Sequence, residues 1–158
     1  MHEGFELIRL KKIFVGVDFS ESSVAAFGYA RFLAGKFSAN IQAIHVVDKR
    51  HIEEIAQLYG DPESNVTKKL CLQAKEQFKT FLNKNNPEGI PVRQIVTAGI
   101  PFQAIALKAH ELGADIIVMG GHGRMGNWQI DKIFFGSKAE RVVRLLPCPV
   151  LCVPPEAL

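Results

Sequence analysis

Asp115-Ile116-Ile117-Val118-Met119-Gly120-Gly121-His122-Gly123-Arg124-Met125-Gly126 is the stretch that decides the fold. Its first five residues form a short apolar run with the length and composition of a buried strand. The run then empties into glycine, and after nine intervening residues beyond Gly126 the chain reaches Gly136-Ser137 at the start of a predicted helix. Five of the 13 glycines fall between 120 and 136. Glycine lets bare backbone N–H groups approach a ligand closely. A strand ending in such a loop, followed by a helix N-terminus, is suited to holding phosphate.

Working outward, apolar runs alternate with helical patterns. Lys12 to Asp18 reads as a first strand, apolar on both faces. Ser20 caps a helix carrying Val24, Phe27, Ala30, Leu33 and Phe37 inward. Ile41–Val47 is a second strand, and residues 48–60 read as a polar connection. Asp61-Pro62 reads as an N-cap with proline at the first helical position, opening a helix to about Asn83. Its inward set is Leu70, Ala74, Phe78 and Phe81 or Leu82, and Asn85-Asn86-Pro87-Glu88-Gly89 ends it. Val92–Thr97 alternates as a partly exposed edge strand does. A helix from Pro101 to Gly113 turns Ile105, Ala106, Ala109 and Leu112 inward. Asp115–Met119 is the fourth strand, residues 138–146 a fourth helix, and Val150–Val153 the last strand. Such alternation predicts a five-stranded parallel α/β sheet with helices on both faces, in a single domain over 1–158 whose core spans about 12–154.

In open sheets of this class the ligand lies beyond the carboxyl ends of the strands, where the winding reverses. Two strands carry distinctive chemistry there: the first ends in Asp18-Phe19-Ser20, the fourth in the glycine loop. If they are neighbours, Asp18 can bond a ribose hydroxyl or help hold a metal while the loop takes phosphates. Ser137-Lys138-Ala139-Glu140 has the form of a capping box, and a capped N-terminus still offers N–H groups to an anion. Gly121-x-Gly123-x-x-Gly126 has dinucleotide spacing but follows the wrong strand, and ten residues separate it from the helix, so NAD is a minor alternative. No Walker loop occurs. Arg124 reads either as a phosphate ligand or as a solvated arginine. His122 reads as a loop-shaping residue, with a phosphate or metal contact as the alternative, and His45 as a satisfied core residue; Met119 suits either core packing or adenine contact.

Together, these residues resemble the universal stress protein family. Gly123-x-x-Gly126, nine residues, then Gly136-Ser137 matches its ATP-binding signature. Val15-x-Val17-Asp18-x-Ser20, His45-Val46, Asp115 to Arg124 and Pro147 to Pro154 agree with it too, so the likeness runs from about Lys12 to Pro154. It implies a Rossmann-like sheet of order 3-2-1-4-5, adenine near Val46, and ribose near Asp18 and Gly120. It further implies phosphates on Gly123, Arg124, Gly126, Gly136 and Ser137, and dimerisation through Val150–Val153. Two departures stand out: Lys138 replaces the usual small apolar residue, and the insert from Asn127 to Phe135 is apolar, with Trp128 and Phe134 suited to covering a nucleotide or packing on a partner.

The candidate nucleotide contacts are therefore Val17, Asp18, Ser20, Val46, Met119, Gly120, Gly123, Arg124, Gly126, Gly136, Ser137 and Lys138, with Asp18 also the candidate metal ligand. The expected ligand is ATP, or ADP or AMP, with magnesium. The expected role is a nucleotide-responsive stress-adaptation module; a slow ATPase or other adenine-nucleotide-handling hydrolase, and a dimeric interaction module that binds no nucleotide, are the alternatives.

Composition narrows the classes. A 47% hydrophobic, 22% charged chain builds an ordinary core, and no apolar run approaches the roughly 18 residues of a membrane span. The net charge of +3 comes without a basic stripe interleaved with aromatics, against a nucleic-acid partner. Residues 1–6 lack a signal-peptide layout, so the cytoplasm is the expected location. Three cysteines argue against a disulfide framework; Cys148 and Cys152, about 13 Å apart along one strand face, read as small buried residues.

Overall fold

Ile13, Phe14 and Val15, at the centre of β1 (Lys12–Gly16), are each 0–1% exposed, so this strand is covered on both faces. The computed structural model describes residues 8–121, 145 and 147–154. After β1 come α1 (Glu21–Phe37), β2 (Asn40–Asp48), α2 (Lys49–Tyr59), α3 (Glu63–Asn85), β3 (Val92–Gly99), α4 (Pro101–Glu111), β4 (Ile116–Gly120) and β5 (Val150–Val153). The expected helix at 138–146 lies outside the described residues except at Leu145.

The strands form one sheet of order β3-β2-β1-β4-β5, and every pairing is parallel. This is the order that the sequence resemblance implies. Alternate residues of β1 serve different layers. Ile13, Val15 and Val17 face a core with Phe27 and Ala30 of α1 and Phe78 and Phe81 of α3. Phe14 joins Ile44, Ile117 and Met119 under Ile105 and Ala109 of α4. A third cluster, Val47, Ile52, Val66 and Ala74, seats α2 and α3 at the end of β2. The edge position of β3, with Arg93 and Gln94 exposed, is as its alternation predicts.

Four local readings need correction. Residues 48–60 hold a helix: Asp48 accepts from the Arg50 amide as its N-cap, and Gly60 closes it at φ 67. Only Ile52 of that helix is buried, so its apolar signal is sparse. α3 is capped by Pro62, whose carbonyl accepts from Val66 N–H at 3.2 Å; Asp61 instead pairs with Lys69 at 3.4 Å. Phe37 is 50% exposed, because the inward stripe of α1 finishes at Ala34 and the helix ends at left-handed Ser38. Cys148 precedes β5 rather than lying in it, and both it and Cys152 are half-buried.

Candidate functional site

The sheet reverses its winding between β1 and β4, which is where the candidate site forms. β1 pairs with β2 only as far as Gly16↔Ile44, and Val17 N–H adds one more bond to the Ile44 carbonyl at 2.8 Å. β2 continues through His45–Asp48, paired with β3 on its other side. A notch therefore opens beyond the end of β1, with Val46 on its β2 wall. Val46 itself is half-buried against the α4-side core.

The chain leaves β1 through Val17-Asp18-Phe19-Ser20, and each residue of that turn is fixed differently. The Val17 carbonyl accepts from His45 Nδ1 at 2.8 Å, so His45 is a satisfied residue as expected. Phe19 adopts φ 64, in the left-handed region that bulky residues avoid. Its ring stacks on His45 at 4.6 Å and meets Phe78 and Phe81 edge-on at 5.3 and 6.0 Å. Tertiary contacts thus hold a backbone conformation that the residue type disfavours.

Asp18 is the centre of a closed hydrogen-bond ring. Its Oδ1 accepts from the Ser20 amide at 3.0 Å, from the Ser20 hydroxyl, and from the Ser23 hydroxyl at 2.6 Å. Ser23 Oγ in return accepts from the Asp18 amide at 2.8 Å. Ser20 also caps α1, accepting from Ser23 N–H at 3.4 Å. Among the described residues no group of three or more His, Cys, Asp or Glu side chains gathers as a metal site would, so Asp18 has no such company there.

The opposite wall is the end of β4. A Cβ on Gly120 would lie 2.6 Å from Ser22 Cβ and 2.9 Å from the Ser22 carbonyl carbon and oxygen. Glycine is required here because the first turn of α1 presses onto the strand end. Gly121 N–H then donates to Val153 at 2.8 Å, extending the ladder to β5. Asp18's turn and the start of the glycine segment are brought together across this contact. Met119 is 6% exposed and packed in the core beside Gly16, which favours its packing role.

Of the candidate contacts, Val17, Asp18, Ser20, Val46, Met119 and Gly120 thus lie at or just beyond the carboxyl ends of β1, β2 and β4, with Met119 buried in the core. Gly123, Arg124, Gly126, Gly136, Ser137 and Lys138, with His122, Trp128 and Phe134, lie outside the described residues. The sequence reading missed Ser22, Ser23 and the conformation of Phe19. A serine at the third helical position after an Asp-x-Ser turn was the available signal, since such residues bond local backbone and cap helices.

Comparison with known proteins agrees with this architecture. The model of the universal stress protein family matches residues 9–154. The chain belongs to that family. Universal stress protein MJ0577 of Methanocaldococcus jannaschii is 28% identical, over 92% of this chain and 96% of its own length. The solved MJ0577 structure superposes with a TM-score of 0.77 at 29% identity, covering 92% of this chain and 96% of that one. Universal stress protein MJ0531 of the same organism is 31% identical over 90% of this chain and 81% of its own. The fold is also that of an Archaeoglobus fulgidus universal stress protein solved in complex with dAMP, at 21% identity and a TM-score of 0.64, over 92% of this chain and 98% of that one.

Proposed function

We propose that this universal stress protein binds ATP in the notch beyond β1 and works as a nucleotide-responsive module rather than as a dedicated enzyme. The observation that carries the reading is the meeting of Asp18's turn with Gly120 at the reversal of the sheet. In this reading the Val46 stretch of β2 borders adenine and Asp18 accepts from a ribose hydroxyl. Amides of the segment holding Gly123, Gly126, Gly136 and Ser137 take the phosphates, with Arg124 and Lys138 adding charge. Magnesium accompanies the phosphates, and ADP or AMP is the alternative occupant of the same notch. The dAMP complex of the Archaeoglobus relative supports an adenine nucleotide.

We further infer a single-domain cytoplasmic protein that forms a homodimer through β5. No described helix is long and apolar enough to cross a membrane.

The test is calorimetric titration of the purified chain with ATP and magnesium, repeated on Gly126→Val. Binding by the parent and a loss of about tenfold or more in the variant, with the fold retained, is expected. No binding at millimolar ATP, or unchanged affinity in Gly126→Val, would overturn the assignment. Steady phosphate release abolished by Asp18→Ala would favour the ATPase instead.

A further inference from the structure

We propose that Ser23, through its hydroxyl, is a positioning residue that aims the Asp18 carboxylate at the nucleotide. This rests on the nucleotide-binding reading above and goes beyond it, because Ser23 is not among the residues expected to touch ligand.

Ser23 is 3% exposed and sits in the first turn of α1, on the protein side of the Asp18 turn. Its hydroxyl is used twice on one residue. It donates its single proton to Asp18 Oδ1 at 2.6 Å and accepts the Asp18 amide at 2.8 Å. Backbone and side chain of Asp18 are therefore fixed from the same atom. Helix packing needs neither bond, since the N-cap of α1 is supplied by Ser20 and runs through the Ser23 amide rather than its hydroxyl.

The rest of the turn is equally constrained. His45 holds the Val17 carbonyl, and the Phe19 ring is trapped against His45, Phe78 and Phe81. The backbone on both sides of Asp18 is thus locked, and bonds from Ser20 and Ser23 act on the carboxylate's own rotation. Ser20 bonds Asp18 from within the turn, two residues on, whereas Ser23 bonds it from the helix behind. Without the Ser23 hydroxyl the carboxylate loses the bond that reaches it from the helix behind and is held less firmly in that orientation. A ligand must then order it on binding, and affinity falls.

The experiment is a double-mutant cycle on ATP affinity, with magnesium, using Ser23→Ala, Asp18→Ala and the double variant. Thermal unfolding of each without nucleotide accompanies the titrations. Asp18→Ala is expected to weaken ATP about tenfold or more and Ser23→Ala about three- to tenfold. In the Asp18→Ala background, Ser23→Ala should cost nothing further, because a residue that acts through Asp18 has nothing left to position. Ser23→Thr, which keeps the hydroxyl, should bind within about twofold of the parent.

A parent that binds ATP while Ser23→Ala binds equally well would overturn this inference and leave the functional reading standing. Equal Ser23→Ala losses with and without Asp18, equal losses in Ser23→Thr and Ser23→Ala, or loss of the fold in Ser23→Ala would each show a packing role and also overturn it. If the parent binds no ATP, both readings fall together.

Discussion

Phe19 holds the left-handed conformation, φ 64, that costs a side-chain-bearing residue about 1–2 kcal/mol relative to an ordinary one. The stack on His45 and the edge contacts to Phe78 and Phe81 offset that cost. Two substitutions separate the terms. Phe19→Ala loses the ring and keeps the strain, a fall of about 1–3 kcal/mol, less than for a fully buried phenylalanine because Phe19 is only partly buried. Phe19→Gly loses the ring but releases the strain, so it should be about 1 kcal/mol more stable than Phe19→Ala, the reverse of the usual order. Urea unfolding of the pair decides it, and Ala equal to or above Gly would refute the strain. Gly120 presents the opposite demand: a methyl there meets Ser22 backbone at 2.9 Å, which cannot swing aside as a side-chain tip would. Gly120→Ala should cost about 1–3 kcal/mol in the same assay and weaken ATP, because the notch must widen. Asp18 and Ser20 were legible in the sequence, since an acidic residue and a capping hydroxyl at a strand end have few other uses. Phe19 was not, because nothing about phenylalanine announces a left-handed turn; only its aromatic neighbours, distant in sequence, make the conformation stable.

Among the elements, the strands and most helices were readable because burial on two faces leaves uninterrupted apolar runs, as in Ile13-Phe14-Val15. α2 was not, although Asp48 as N-cap, Ile52-x-x-Ile55-Ala56 and Gly60 as C-cap mark it. Its inward stripe is thin, and Leu58 and Tyr59 are about three-quarters exposed, so composition resembled a polar connection. A helix held by so little apolar contact should depend on its cap. Asp48→Ala removes the acceptor for the Arg50 amide and the 2.8 Å ion pair with the Arg50 guanidinium. The cap contributes about 1 kcal/mol and the exposed pair little. The expected outcome is a drop of that size in unfolding free energy with a small loss of helical circular dichroism; an unchanged midpoint would refute it. β5 and the segment leading into it carry a different signature. Burial pushes the thiols of Cys148 and Cys152 above the ordinary value, and for Cys148 a backbone hydrogen bond with Ile117 works against it. The folded chain therefore keeps those protons after the unfolded chain has released them. Stability should decline as pH rises through the unfolded thiol value, about 8.5, toward the higher folded values. Replacing both with alanine should flatten that alkaline decline in urea unfolding, and an identical slope would count against it.

At the scale of the whole molecule, the order β3-β2-β1-β4-β5 leaves β3 and β5 as the edges of the described sheet. The parallel sheet was legible in the alternation of strands and helices, but its strand order came from the family resemblance; the residues themselves asked only that the first and fourth strands be neighbours, as they are. The edges differ in what borders them. β3 carries exposed Arg93 and Gln94, charged and polar residues that discourage strand pairing, whereas β5 is Val150-Leu151-Cys152-Val153, apolar throughout and short. An edge of that kind suits pairing with a second copy, which is the dimer proposed above. The ladder identifies which amides such a dimer would use. Ile117 N–H donates to the Pro149 carbonyl at 2.9 Å and Gly121 N–H to Val153 at 2.8 Å. In a parallel ladder the groups facing one neighbour alternate, so Leu151 and Val153 turn their amides to β4 while Val150 and Cys152 turn theirs outward. Proline at 152 therefore removes an outward donor and leaves the internal ladder intact, as proline on an edge strand does. Cys152→Pro should keep the fold and the ATP affinity while sedimenting as a monomer at concentrations where the parent is a dimer. Cys152→Ser, which retains the amide, should remain dimeric. A parent that sediments as a monomer, or a proline variant that stays dimeric, would remove β5 as the interface.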